Sequence, residues 1–248
     1  MVKPLLIACA LLVAGTLASR AAPVVVNGGF EASSYASSSQ YGTGYGGQGV
    51  TGWTGTGFTL YFVGDTQTTV SAANQYGDPL TYFRGDVTTS PLGGSFVAMD
   101  GDSSFQGGNA AVPGSTVSQT VTGLMANTQY DVSFYWAGTQ LINRSGPTTE
   151  RLQVTFGDGS QSTGTVSVAS GGFTGWMQES LRFTASATSE LLTFLSYGTP
   201  DGLPPVALLD GVSVQAAVPE PASWALLGVG LLALAHGARR RTRGGAAA

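Results

Sequence analysis

The stretch Tyr130-Asp131-Val132-Ser133-Phe134-Tyr135-Trp136 decides the fold class. Tyr130, Val132, Phe134 and Trp136 fall at every second position with Asp131, Ser133 and Tyr135 between them, the pattern of a strand with one buried face. Trp136 is therefore read as core. Leu152, Val154 and Phe156 alternate in the same way with Arg151, Gln153 and Thr155. The Gly157-Asp158-Gly159-Ser160 turn that follows predicts a hairpin into Thr165 to Val168. Further strands are predicted at Val24 to Phe30, Phe58 to Val63, Ser95 to Met99, Thr116 to Val121, Met177 to Phe183, Glu190 to Ser196 and Val206 to Val214. Many short strands, turn residues between them and no convincing helix make residues 22–217 one all-β domain, an antiparallel β-sandwich.

One segment interrupts the alternation. Residues 33–57 are dominated by Ser, Gly, Tyr and Thr. With so few aliphatic side chains the segment cannot pack by itself and is read as a long loop. Its Tyr35, Tyr41, Tyr45 and Trp53 either form a stacking platform for sugar rings or pin the loop to the sandwich. Trp176, after Gly171-Gly172-Phe173-Thr174-Gly175, is either a second platform or the start of a strand. Tyr45, Trp53 and Trp176 are the candidate ligand contacts.

The two ends of the chain read as addresses. Lys3, the apolar run Leu5 to Leu17 and the small residues Ala18, Ser19, Ala21 and Ala22 form a secretory signal peptide over residues 1–21. The only cysteine, Cys9, would leave with it, so the exported body is held without disulfides. At the other end Val218-Pro219-Glu220-Pro221 leads into an apolar stretch and then Arg239, Arg240, Arg241 and Arg243. Leucines on every side of the helix suit lipid. Residues 222–238 are about long enough to span a bilayer. The arginines would hold the far end in the cytoplasm and leave the body in the periplasm. This three-part tail, residues 218–243, resembles the PEP-CTERM sorting signal, and Pro219, Glu220 and Pro221 match its motif. The resemblance implies export by the Sec machinery, an inner-membrane-anchored precursor, cleavage by an exosortase and delivery to the cell surface or extracellular matrix.

Residues 22–217 contain thirteen acidic and four basic residues, a net charge of −9 against −4 for the whole chain. Such a body repels nucleic acid, whose binding relies on Lys and Arg. The sole histidine, His236, lies in the tail, which removes Ser-His-Asp and imidazole-zinc chemistry from the body. A carboxylate pair for glycoside hydrolysis, Asp100 with Asp102 or Asp131 with Glu179, is the enzymatic reading that stays open. The expectation is a protein that is not an enzyme.

Three segments in order carry a second resemblance. Asn27-Gly28-Gly29-Phe30-Glu31 comes first, then Ser118-Gln119-Thr120-Val121-Thr122-Gly123-Leu124 running into Thr128-Gln129-Tyr130-Asp131-Val132-Ser133-Phe134, and last Leu208-Leu209-Asp210-Gly211-Val212-Ser213-Val214. The order resembles the galactose-binding-like jelly-roll domains, which include several carbohydrate-binding modules. Gly211 stands where a second acidic or amide residue is common in that pattern, and the 33–57 insertion has no counterpart in it. The resemblance implies first and last strands that lie together and a structural calcium near Glu31 and Asp210; the alternative is that both carboxylates bond to backbone amides. Two functions follow: a glycan-associated module that holds the protein to exopolysaccharide, or a structural, adhesive matrix protein with no defined sugar site.

Overall fold

The computed structural model describes residues 22–36, 38–40, 42, 49–63, 71–73, 79–81, 87–102, 114–140, 145–203, 205–217 and 230. The signal peptide, Tyr41, Tyr45, the Pro219-Glu220-Pro221 motif and, Gly230 apart, the 222–238 span lie outside them. The described residues form fourteen strands: β1 (Ser39–Gln40), β2 (Thr54–Thr56), β3 (Thr59–Phe62), β4 (Ser71–Ala73), β5 (Pro79–Thr81), β6 (Phe96–Asp100), β7 (Thr116–Thr122), β8 (Thr128–Gln140), β9 (Thr148–Phe156), β10 (Gly159–Ser162), β11 (Val166–Val168), β12 (Met177–Ala185), β13 (Ser189–Thr199) and β14 (Pro205–Ala216).

The strands build two antiparallel sheets, ordered β1-β3-β6-β14-β8-β12 and β10-β9-β13-β7-β2, with β11 on the edge of β9 and β4 paired to β5 apart. From β6 to β9, and again from β12 to β14, successive strands change sheet, which is the jelly-roll winding of a sandwich. The alternation in the sequence is what the sheets use. On β8, Tyr130, Val132, Phe134 and Trp136 are buried, and on β9 so are Leu152, Val154 and Phe156. Between the sheets Phe134 meets Phe194 edge-on at 5.0 Å and Phe156 meets Phe183 at 5.9 Å. The outer face of the first sheet carries a second apolar cluster, with Leu60, Phe62, Phe96, Ala98, Val206 and Leu208 buried there.

Two expectations are corrected. Val24 to Phe30 is not a strand: beyond a bridge from Val24 to Thr122 it forms a turn, with Asn27 and Phe30 in the left-handed region at φ 54° and 58°. The amide side chain of buried Gln119 replaces a neighbouring strand. It accepts from Val26 N–H at 2.7 Å and donates to Val26 C=O at 2.8 Å and to Gly52 C=O at 2.9 Å. The 33–57 segment is not simply a loop, because it supplies β1, β2 and two core side chains, Val50 and Trp53. Among the described residues no helix is long and apolar enough to cross a membrane.

Candidate functional site

The turn Asn27 to Glu31 is folded by its own side chains and by glycine. Asn27 accepts from Ala32 N–H at 2.9 Å and donates to the carbonyls of Ala32 and Thr51 at 2.9 and 3.1 Å. Gly28 is pressed on the last strand: a Cβ there would lie 2.0 Å from Val212 O. This docking brings Glu31 beside Asp210, as the sequence predicts. A Cβ on Gly29 would lie 3.9 Å from both Asp210 Oδ1 and Glu31 Cγ, and one on Gly94 only 1.9 Å from Glu31 Oε1.

Asp210 reaches that position through a bulge. Between Asp210 and Ser213 the last strand gains a residue against Tyr135 to Ser133 of β8. Side chains at 207 and 209 face the interior before the bulge, and those at 212 and 214 face it afterwards. Gly211 carries the bulge at φ 62°, and a Cβ there would lie 2.6 Å from Leu92 Cδ1, which explains why no acidic or amide side chain stands at that position. Asp210 is fully buried; it accepts from Ser90 Oγ–H and from Gly211 N–H at 2.6 Å. Burial, with the Glu31 carboxylate adding to it against those two hydrogen bonds, pushes its pKa up to about 6. Glu31 is exposed and accepts from Ser95 N–H at 2.9 Å. Two adjacent carboxylates, the Ser90 hydroxyl and a glycine-lined backbone form a hard-oxygen donor set that fits calcium. Among the described residues no group of three or more His, Cys, Asp or Glu side chains gathers as a metal cluster, so calcium here would draw on backbone oxygen and solvent as well.

The aromatic candidates separate. Trp53 is 2 % exposed, packs on Phe30 at 5.0 Å and donates to Asn27 C=O at 2.9 Å, so it is a core residue and offers no face to a ligand. Its burial follows from the Gly52 turn and the Gln119 clamp, which fold the 49–53 segment inward. Trp176 is half-buried, edge-on to Phe96 at 5.5 Å, with its indole N–H donated to Thr88 C=O at 3.0 Å. Trp53 and Trp176 do not form one patch: they belong to clusters on opposite faces of the first sheet.

Of the nominated hydrolase pairs, one is split across the sheet and the other is buried. Asp131 is held by Arg182 through two hydrogen bonds of 2.7 and 3.0 Å. Glu179, three residues from Arg182 on the same strand, projects from the opposite face of the sheet. Asp100 and Asp102 are buried in their turn; Asp102 accepts from Gly202 N–H at 2.6 Å, and its own N–H donates to Asp100 at 2.8 Å.

A surface that the sequence did not single out lies on the outer face of the second sheet. Thr54, Thr56, Thr116, Ser118, Thr193, Thr155, Gln153 and Ser160 project from it in cross-strand rows. The rows are knit by hydroxyl and amide pairs, Thr56 to Thr116 at 2.6 Å, Thr149 to Thr199 at 2.7 Å and Gln153 to Ser160 at 2.9 Å. Tyr197 and Arg151 are opposite neighbours there, the guanidinium 4.6 Å from the ring centre. No strand of this sheet turns a carboxylate outward, because Glu150 and Glu190 both point inside. The signal was present in the sequence as Thr and Ser at every second position of β7 and as Thr149, Arg151, Gln153 and Thr155 on β9, but only the strand order shows that they share one face.

Residues 217–241 match the model of the PEP-CTERM protein-sorting motif. The chain thus carries the mark of an exported protein sorted to the cell surface. No curated protein matches the chain. Its structural neighbours are carbohydrate-binding modules. TmCBM61, solved with β-1,4-galactotriose, is 15% identical with a TM-score of 0.43, covering 78% of this chain and 97% of its own. The CBM22-1 xylan-binding domain from Paenibacillus barcinonensis is 15% identical with a TM-score of 0.38, covering 73% and 94%. The C-terminal CBM6 of a marine laminarinase from Zobellia galactanivorans is 14% identical with a TM-score of 0.31, covering 63% and 98%.

Proposed function

We propose that the protein is a non-catalytic surface or extracellular-matrix module that associates with neutral glycan through the outer face of the β10-β9-β13-β7-β2 sheet. It leaves the cytoplasm by the Sec machinery, is held as an inner-membrane precursor and is released to the surface by an exosortase. One observation carries the reading: a body of net charge −9 keeps one broad sheet face free of carboxylates and covers it mainly with hydroxyl and amide groups around Leu191 and Leu195, Arg151 its one cation among the described residues. Threonine, serine and glutamine side chains donate and accept like the hydroxyls of a sugar, and Tyr197 with Arg151 adds a stacked edge. Exopolysaccharide is the class of partner this chemistry fits. A pull-down of the exported form with neutral exopolysaccharide tests it, with retention that falls on Tyr197→Ala and Gln153→Ala together as the expected result. Unchanged retention in that variant would remove the face from the reading.

Calcium is a structural element of this proposal. Glu31 and Asp210 would hold it between the first turn and the last strand, joining the two ends of the body. The Glu31 carboxylate beside the buried Asp210 carboxyl, whose pKa burial raises, is the observation that favours it. Calcium should raise the Tm more at pH 7.5 than at pH 5, because Asp210 must lose its proton to ligate. An equal shift at both values would place calcium elsewhere.

The second reading, a matrix protein that assembles by its strand edges, is disfavoured by how those edges end. β1 and β2 at one side are two and three residues long. At the other side the Gln161 amide donates to Arg182 C=O and bridges β10 to β12. Short and bridged edges resist pairing with further chains.

A further inference from the structure

We infer that the sandwich stands on the membrane by one pole in the anchored precursor, with the turns 123–127 and 185–189 toward the lipid and the opposite end farthest from it. The inference rests on the anchored-precursor reading proposed above.

Both ends of the body converge on this pole. Val24 N–H donates to Thr122 C=O at 2.9 Å, beside the turn that links β7 to β8, and a Cβ on Gly123 would lie 2.7 Å from Ala22 O. At the other terminus Ala217 N–H donates to Gln129 C=O at 2.8 Å, just past the same turn. Only four residues lie between Ala217 and Ala222, where the apolar stretch begins, so the tether of five Cα steps reaches at most about 18 Å. β8 runs from this pole at Thr128 to the far end at Gln140, and its thirteen residues extend about 40 Å. The far end therefore cannot reach the membrane unless the whole body lies on its side.

Charge and apolar surface decide between standing and lying. The turns of the pole present Met125, Ala126, Asn127, Ser186, Ala187 and Thr188, all exposed and uncharged. The described acids nearest it are Asp158, Asp131, which is paired with Arg182, and buried Glu190, which is engaged by the N–H groups of Ser186 and Ala187 and the Ser186 hydroxyl. Cleavage after Ala21 would add an α-ammonium at the same place. An acidic body laid on its other flanks is repelled by an anionic leaflet; the carboxylate-free sheet face escapes that repulsion but is covered mainly by hydroxyl rows, where the neutral pole opens an apolar groove. A groove of about 610 Å³ opens here, lined by Pro23, Val25, Met125, Tyr130, Val212 and Val214, and Val24 and Met125 at its rim are 49% and 38% exposed. Apolar surface of this kind suits the headgroup boundary.

The test uses the precursor after signal-peptide removal, residues 22–248, which has no cysteine of its own, reconstituted into vesicles of phosphatidylethanolamine and phosphatidylglycerol with no other protein. Single cysteines at Ala126→Cys and Ser145→Cys carry a fluorophore, and the vesicles carry a headgroup quencher. Flotation first establishes that the precursor is anchored; a precursor that does not float overturns the anchoring reading itself. In floating protein, strong quenching at position 126 and none at 145 is the expected result. Equal quenching at both positions means that the body lies flat, and quenching at neither means that it stands clear of the lipid; each overturns the inference.

Discussion

Glu150 is a residue whose burial makes the stability of the fold depend on pH. It sits on β9 inside the sandwich with no exposed surface, and neither carboxyl oxygen makes a hydrogen bond. Gly138 leaves it room, since a Cβ there would lie 3.1 Å from Oε2, and Val166 and Val168 lie equally close to that point. Burial pushes its pKa up to about 7; the nearby Thr148 lowers it only in part, from outside hydrogen-bond geometry. The folded protein thus keeps a proton that the unfolded chain releases near pH 4.5. Stability is highest below that value, falls as pH rises toward about 7, and stays lower above it. Asp210 adds a slope of the same sign. Urea unfolding at pH 5 and pH 8 should show Glu150→Gln removing about 2–3 kcal/mol of the wild-type loss between those values; an unchanged loss would mean that Glu150 is charged and paired in solution. Gln119 makes the opposite case, a buried polar group fully used. Gln119→Leu strands the Val26 amide and two carbonyls and should cost about 2–4 kcal/mol in the same assay.

At the scale of elements, the sequence made the long strands plain and hid the short ones. β9, β12 and β13 were legible because each buries one face, so that period two is written into their apolar residues; β8 alternates over its first nine residues, and β14, buried on both faces over its first half, shows instead as the apolar run Val206 to Leu209. The Asn27-Gly28-Gly29-Phe30 segment misled because Val24, Val25 and Val26 look like a strand, while its geometry is set by left-handed backbone at Asn27 and Phe30 and by a side-chain clamp from residue 119. Trp53 misled for a related reason: its neighbours in sequence are polar, and its neighbours in space, Phe30 and Phe194, come from distant segments. Burial makes Trp53→Ala a folding mutation, with an expected loss of about 3–5 kcal/mol. Gly28→Ala tests how the first turn docks on the last strand. Its methyl would collide with Val212 O, so both the melting temperature and the calcium-induced shift should fall. A shift retained at full size would separate the metal from this turn. The Glu31 and Asp210 pairing was legible through resemblance alone, since 178 residues of chain lie between them.

For the whole molecule, sorting and ligand surface fit one geometry. The tail leaves from one pole, and the sheet face that carries the hydroxyl rows runs along the flank, so an anchored precursor keeps that face open to the periplasm. Because the face is uncharged apart from Arg151, binding there should respond little to salt, unlike adhesion driven by the acidic body. Titration of the exported protein with a neutral exopolysaccharide, at low and high salt and with the Tyr197→Ala/Gln153→Ala variant beside it, tests this most directly. Saturable, salt-insensitive binding that the variant loses while its melting temperature stays unchanged is the expected result. Binding that collapses in salt, or that the variant retains in full, would contradict a glycan surface on this sheet.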